Sequence, residues 1–162
     1  MSDQFDDIHK LLRAGKGNAV LSMLINKKTG RINKAYSVDL NHAWYIVGSV
    51  LYKQEKFGDA LLAFKKSYRH WKEDVDAIKA IGTCYSELEN PKIAKYYYIK
   101  AKTIGGKRYK DIDALTYNLG NAYFDMEKYD LAISEYKKVR KSDKKTYQLA
   151  QKNIKHAKKH LA

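Results

Sequence analysis

The chain has 162 residues and a formal net charge of +14. That length allows one domain with a real core. The single cysteine, Cys84, excludes an intrachain disulfide framework, and one proline in the whole chain suits an all-helical protein, because proline breaks helix interiors.

The first seven residues, Met1-Ser2-Asp3-Gln4-Phe5-Asp6-Asp7, are acidic and lack an apolar run, so they predict no secretory leader. Phe5, Ile8, Leu11 and Leu12 suggest a helix that stops near Gly15-Lys16-Gly17. That glycine-flanked lysine lacks the preceding strand and the following Ser or Thr of a phosphate loop, and reads as a turn. Asn18 is placed to cap a second helix carrying Val20, Leu21, Leu24 and Ile25, and Thr29-Gly30-Arg31 reads as a loop. Residues 1–40 are therefore an N-terminal helical pair or a degenerate repeat.

Residues 41–74 read as a helical hairpin. Trp44, Val47, Gly48 and Leu51 fall at i, i+3, i+4 and i+7, one helical face. Phe57-Gly58-Asp59 marks the turn region, and Ala60, Leu61, Phe64 and Ser67 line the second helix. Trp71, at its end, is expected to pack. The longest apolar-looking stretch, Trp44 to Tyr52, is too short to cross a bilayer, which predicts no membrane insertion. Residues 75–106 repeat the pattern with Ile78, Ile81, Gly82, Tyr85, Ala94, Tyr98 and Ala101. Asn90-Pro91 should start the second helix of this pair and Gly105-Gly106 should end it. Cys84, beside Gly82, reads as a small buried hydrophobe.

Residues 107–112 are an insertion. Residues 113–144 form a third hairpin with Leu119, Gly120, Tyr123, Ala132 and Tyr136. A final helix, 145–161, carries Ala150, Ile154, Ala157 and Leu161 on one face, as a terminal cap needs. The small residues Gly48, Gly82 and Gly120 should face the partner helix of their own hairpin, near Ala60, Ala94 and Ala132.

Gly48 and Gly82 are 34 residues apart, as are Ala60 and Ala94, whereas Gly82 and Gly120 are 38 apart. A 34-residue period of two short helices is a solenoid signature. The residues Trp44-Tyr45, Gly48, Tyr52-Lys53-Gln54 and Ala60, with Tyr117-Asn118-Leu119-Gly120-Asn121-Ala122-Tyr123, Ala132 and Tyr136, resemble the tetratricopeptide repeat. The proline that usually closes each repeat is replaced by Lys72, Gly106 and Lys144. The resemblance implies an all-α fold, a short α-solenoid of three such hairpins (41–74, 75–106, 113–144) between the N-terminal pair and the C-terminal capping helix.

In this family the first helix of each repeat lines a concave face that holds another protein. The implied peptide groove comprises Tyr45, Ser49, Tyr52, Lys79, Thr83, Tyr117, Asn118 and Asn121, with Gln148 and Lys152 on the last helix; Ile46 falls on the same face. Some members grip a peptide carboxylate with Lys and Asn, and Lys79, Thr83, Asn118, Gln148 and Lys152 occupy those places here. The function expected is an interaction module, adaptor or chaperone-like, for a protein or peptide in the cytoplasm. It is not expected to be an enzyme, and no cofactor is called for.

Two alternatives stand beside it. From Lys137 to Ala162 there are ten Lys or Arg against the single acid Asp143. Lys152, Lys155, Lys158 and Lys159 could bind nucleic acid, RNA above all, by neutralising phosphates, with tyrosines such as those of Tyr96-Tyr97-Tyr98 stacking on bases. The layout also looks like that of the tetratricopeptide chaperones of type III secretion translocators. His156 and His160 sit at i, i+4, a spacing open to metal, but the neighbouring lysines would repel a cation.

Overall fold

The structure is a computed structural model and describes residues 4–162. Met1, Ser2 and Asp3, part of the segment read as lacking a leader, lie outside the described residues. The fold is all-α. Among the described residues there are nine α-helices and no strand, only an isolated bridge between Ile25 and Ile32. No described helix is long and apolar enough to cross a membrane. The chain divides into two compact units after Ala77.

The first unit begins with α1 (Asp6–Arg13) and α2 (Gly17–Leu24). Asp6 and Asp7 open α1 while Lys10 and Arg13 close it, complementing the helix dipole at both ends. Asn18 does not cap α2. The helix starts at Gly17 with Lys16 at the N-cap, two residues before Asn18, and the Asn18 side chain instead accepts a hydrogen bond from Gln54 Nε2 at 2.9 Å. Early closure is possible because Gly17 passes against α3, where an added Cβ would lie 2.9 Å from Val50. A 3-10 turn over Lys34–Asp39 leads into α3 (Leu40–Lys53), capped by the Asp39 carboxylate, and α4 (Phe57–His70) packs along α3.

The core of this unit joins Phe5, Ile8, Val20 and Leu24 to Ala43, Ile46, Val47 and Val50. Ile46, read as a groove position, is thus buried beneath the N-terminal pair. At the far end of the hairpin Asn41 Nδ2 donates to Ser67 Oγ (3.0 Å) and Asp74 Oδ2 (2.9 Å), which satisfies the buried serine. Trp71 does not pack. It takes an extended backbone at the C-cap of α4, which carries its ring off the helix face, and it stays 56% exposed.

The second unit takes α5 (Val75–Glu87) from Ile78 onward, then α6 (Pro91–Gly105), α7 (Ile112–Asp125), α8 (Tyr129–Lys137) and α9 (Lys144–Lys159). Asn90 accepts from the Ile93 amide with Pro91 at the first helical position, and Gly106 ends α6 at φ 60°, ψ −167°, which a side chain would resist. Asp143 caps α9 through the Thr146 amide. In this unit α6 packs on α7, α7 on α8, and α9 on both α7 and α8.

Two details recur along the chain. The three hairpin glycines do meet their partner helices, but at an aromatic ring rather than at the alanine. A Cβ on Gly48 would fall 2.7 Å from Phe64, on Gly82 2.8 Å from Tyr98, and on Gly120 2.5 Å from Tyr136. Ring against bare backbone sets how closely each pair packs.

The second recurring detail is the turn. Phe57-Gly58-Asp59 is not a turn but the first turn of α4; the chain reverses at residues 54–56. Glu55, Glu89 and Glu127 all sit at positive φ (59°, 54° and 59°). In each, the Glu amide bonds three residues back and the next amide five back, as in Glu127 to Phe124 O (2.8 Å) and Lys128 to Tyr123 O (2.9 Å). That is a Schellman ending, normally given to glycine. Gly15 ends α1 by the same two bonds.

Candidate functional site

The sequence places tyrosine and asparagine on the first helix of the third hairpin, and the structure draws two of them into one network. Asn121 Oδ1 accepts from the Tyr136 hydroxyl at 2.7 Å and from Asn153 Nδ2 at 3.1 Å. Asn153 Nδ2 also lies 3.1 Å from the Tyr117 hydroxyl, whose ring sits 5.7 Å from that of Tyr136. The three elements each supply a part: α7 gives Tyr117 and Asn121, α8 gives Tyr136, and α9 gives Asn153. Tyr136 is fully buried, and burial pushes its phenol well above the usual value, so it stays a neutral donor.

The network forms the floor of a hollow of about 280 Å³ walled by Ser86, Phe124, Asp125 and His156. Burial raises the Asp125 carboxyl above its ordinary pKa. Such a floor offers hydrogen bonds beside flat apolar rings, which suits a peptide backbone.

Asn118 is half-buried, and Gln148 and Lys152 on α9 are exposed. Thr83 donates to the Lys79 carbonyl (3.1 Å) and accepts from Tyr98 at 3.4 Å. Lys79 pairs with Asp111 at 2.6 Å. Its charge is thus already met within the protein, which weakens the carboxylate grip that the resemblance implied. In the first unit Tyr45 lies against Phe64 (5.5 Å), Tyr52 against Phe57 (5.3 Å), and Ser49 donates to the Tyr45 carbonyl. All three stay half-buried.

Sequence reasoning missed Asn153. It lies on the helix read as a cap, where the family pattern assigns Gln148 and Lys152 to the groove and passes over Asn153. The signal was an asparagine in the buried half of that helix, between Ala150 and Ile154. His156 and His160 join Phe124 and Tyr129 in an aromatic cluster, with the His160 ring stacked 4.6 Å from Tyr129. No group of metal-ligating residues occurs among the described residues. Tyr97 stacks on Tyr85 (5.7 Å) within its own hairpin, whereas Tyr96 is 58% exposed. Lys152, Lys155, Lys158 and Lys159 are all exposed on α9. Cys84 is buried, and desolvation followed by the charge of Glu87 pushes its thiol up to about 12.

No protein-family model matches the chain, and no curated protein matches it in sequence. Solved structures do match. The crystal structure of MamA protein aligns with 98% of this chain and 86% of its own, at 20% identity and a TM-score of 0.70. YrrB, described as a TPR protein with an unusual peptide-binding site, aligns over 98% and 81%, at 21% identity and a TM-score of 0.68. A MamA MSR-1 C2 structure aligns over 97% and 94%, at 14% identity and 0.64. The chain has the tetratricopeptide-repeat fold.

Proposed function

We propose that the protein is an interaction module, adaptor or chaperone-like, that binds a peptide segment along the first helices of its hairpins. The observation that carries this is the Tyr117–Asn121–Tyr136–Asn153 floor, preorganised before any ligand arrives. A rigid polar floor spares the ordering cost that flexible side chains add to binding. The contact set is Tyr117, Asn118, Asn121, Gln148 and Lys152, with Lys79 and Thr83 on α5, and Tyr45, Ser49 and Tyr52 on the first unit. The likeness to YrrB supports a peptide ligand by analogy of fold. A cytoplasmic setting agrees with the lone, buried thiol.

Selection of binders from a random peptide library tests this. Asn118→Ala with Gln148→Ala leaves the buried network intact, so the variant should stay folded. Peptides selected on the wild type should lose at least about tenfold in affinity on it, the worth of one or two good hydrogen bonds. Peptides that bind both proteins equally would refute the groove. Affinity that falls steeply with salt, and that flattens when Lys152, Lys155, Lys158 and Lys159 are removed, would point to the nucleic-acid reading instead.

A further inference from the structure

A second hollow, of about 450 Å³, opens in the second unit where the 107–112 insertion meets the start of α7 and the end of α8. Its walls carry Lys102, Lys107, Lys138 and Arg140, together with Asp113 and Thr116. The four additional residues between the second and third repeats bring Lys107 to this place, so the longer spacing has a structural result. The volume lies within the usual range of small-ligand sites.

The charges do not cancel. Asp113 is engaged by Arg140, whose backbone amide (2.9 Å), Nε (2.8 Å) and Nη2 (2.7 Å) all reach its carboxylate. Glu135, behind the wall, takes Lys102 at 2.8 Å and also Lys138. Four cations against two carboxylates leave an excess of two positive charges. Thr116, only 4% exposed, lines the hollow. Asp111, at the N-cap of α7, makes no side-chain cap bond, so the first-turn amides of α7 add to the positive field.

We propose that this hollow binds a small phosphate monoester, its dianion matched to the excess charge of Lys107, Lys138 and Arg140 and hydrogen-bonded by Thr116. The apolar part of the wall receives the organic remainder. With Nε and Nη2 held on Asp113, Arg140 meets the ligand through its Nη1 edge, beside the exposed Lys107 and the half-exposed Lys138.

Amide chemical-shift titration of the full chain with phosphoserine, inorganic phosphate and serine tests this. Phosphoserine should give saturable shifts centred on Thr116 and Arg140, serine none, and inorganic phosphate weaker ones. Binding should weaken below about pH 6, where the phosphate loses its second charge. Lys107→Gln and Thr116→Val should each weaken phosphoserine about tenfold, as loss of a hydrogen bond to a charged group does. Lys107 is exposed, so its variant folds whatever becomes of Thr116→Val. Lys155→Gln, on α9, should change nothing. Shifts that never saturate, that spread over α9, or that ignore Lys107→Gln would overturn the site. Equal affinity for inorganic phosphate would overturn the monoester and leave free phosphate as the ligand.

Discussion

Gly120→Ala measures how firmly the third hairpin is gauged by one ring. The new methyl would lie 2.5 and 2.6 Å from two ring carbons of Tyr136 and 3.1 Å from a third. Carbons rest at about 3.5 Å or more, so the ring must retreat by about 1 Å. It has nowhere to go, being fully buried, and its hydroxyl is held by Asn121 at 2.7 Å. Overpacking of this kind costs about 1–3 kcal/mol. Alanine returns up to about 1 kcal/mol through its better helix propensity. The net loss should therefore be about 1–2 kcal/mol, or a fall in melting temperature of roughly 2–8 °C for a chain of this size.

Gly58→Ala is the matched control. It lies in α4 with nothing within 4 Å of the added Cβ, so only the propensity gain remains. Gly48→Ala should fall between them, because Phe64 has no hydroxyl to anchor it and can slide. Urea unfolding followed by circular dichroism ranks the three. If Gly120→Ala stabilises the protein as Gly58→Ala does, the ring does not set the helix spacing.

The αL turns give a second expectation. Glu127→Gly relieves about 1 kcal/mol of left-handed strain but adds a backbone entropy cost of roughly 0.5–1 kcal/mol, so the urea midpoint should stay level or rise slightly. Glu127→Val should lose about 1–2 kcal/mol at the same site. Burial pushes the Glu135 carboxyl up, but hydrogen bonds and charge from Lys102 and Lys138 outweigh it and hold it below its usual 4.5. A depressed carboxyl stabilises the fold above its unfolded pKa and loses that contribution as pH falls through the folded one. Glu135→Gln should therefore lower stability at neutral pH and flatten the acid limb of a stability–pH curve below about pH 4.5. Cys84, with its thiol up near 12, should resist a disulfide reagent at mildly alkaline pH until the protein unfolds; fast labelling of the native protein would refute its burial.

The helices were legible because glycine and alanine recur at fixed spacing and because Asn90-Pro91 and Gly105-Gly106 carry their own punctuation. The αL turns were not, since glutamate there has no local signature and only comparison of three hairpins exposes it. Phe57-Gly58-Asp59 misled for the converse reason: a glycine in an exposed first helical turn looks like a break. Glycine opposite aromatic was hidden because the pair is 16 residues apart, across a turn whose length sets the register. Within the site, Tyr117 and Asn121 could be found from the repeat pattern. Asn153 could not, because its role depends on where α9 lies against α7. Lys79 was read as free to bind, and its partner Asp111 comes from the insertion, which the repeat pattern does not cover.

The polar floor also constrains the order in which the second unit can mature on the ribosome. Tyr136 and Tyr117 are synthesised before Asn153, and a chain that has released only α7 and α8 has no amide for the Tyr117 hydroxyl and lacks α9 as cover for Ala132, Ile133 and Val139. The hairpin can form, but it stays open and sticky on one side until α9 arrives. A chain cut short before Lys144 would thus keep an aggregation-prone face that the whole unit covers.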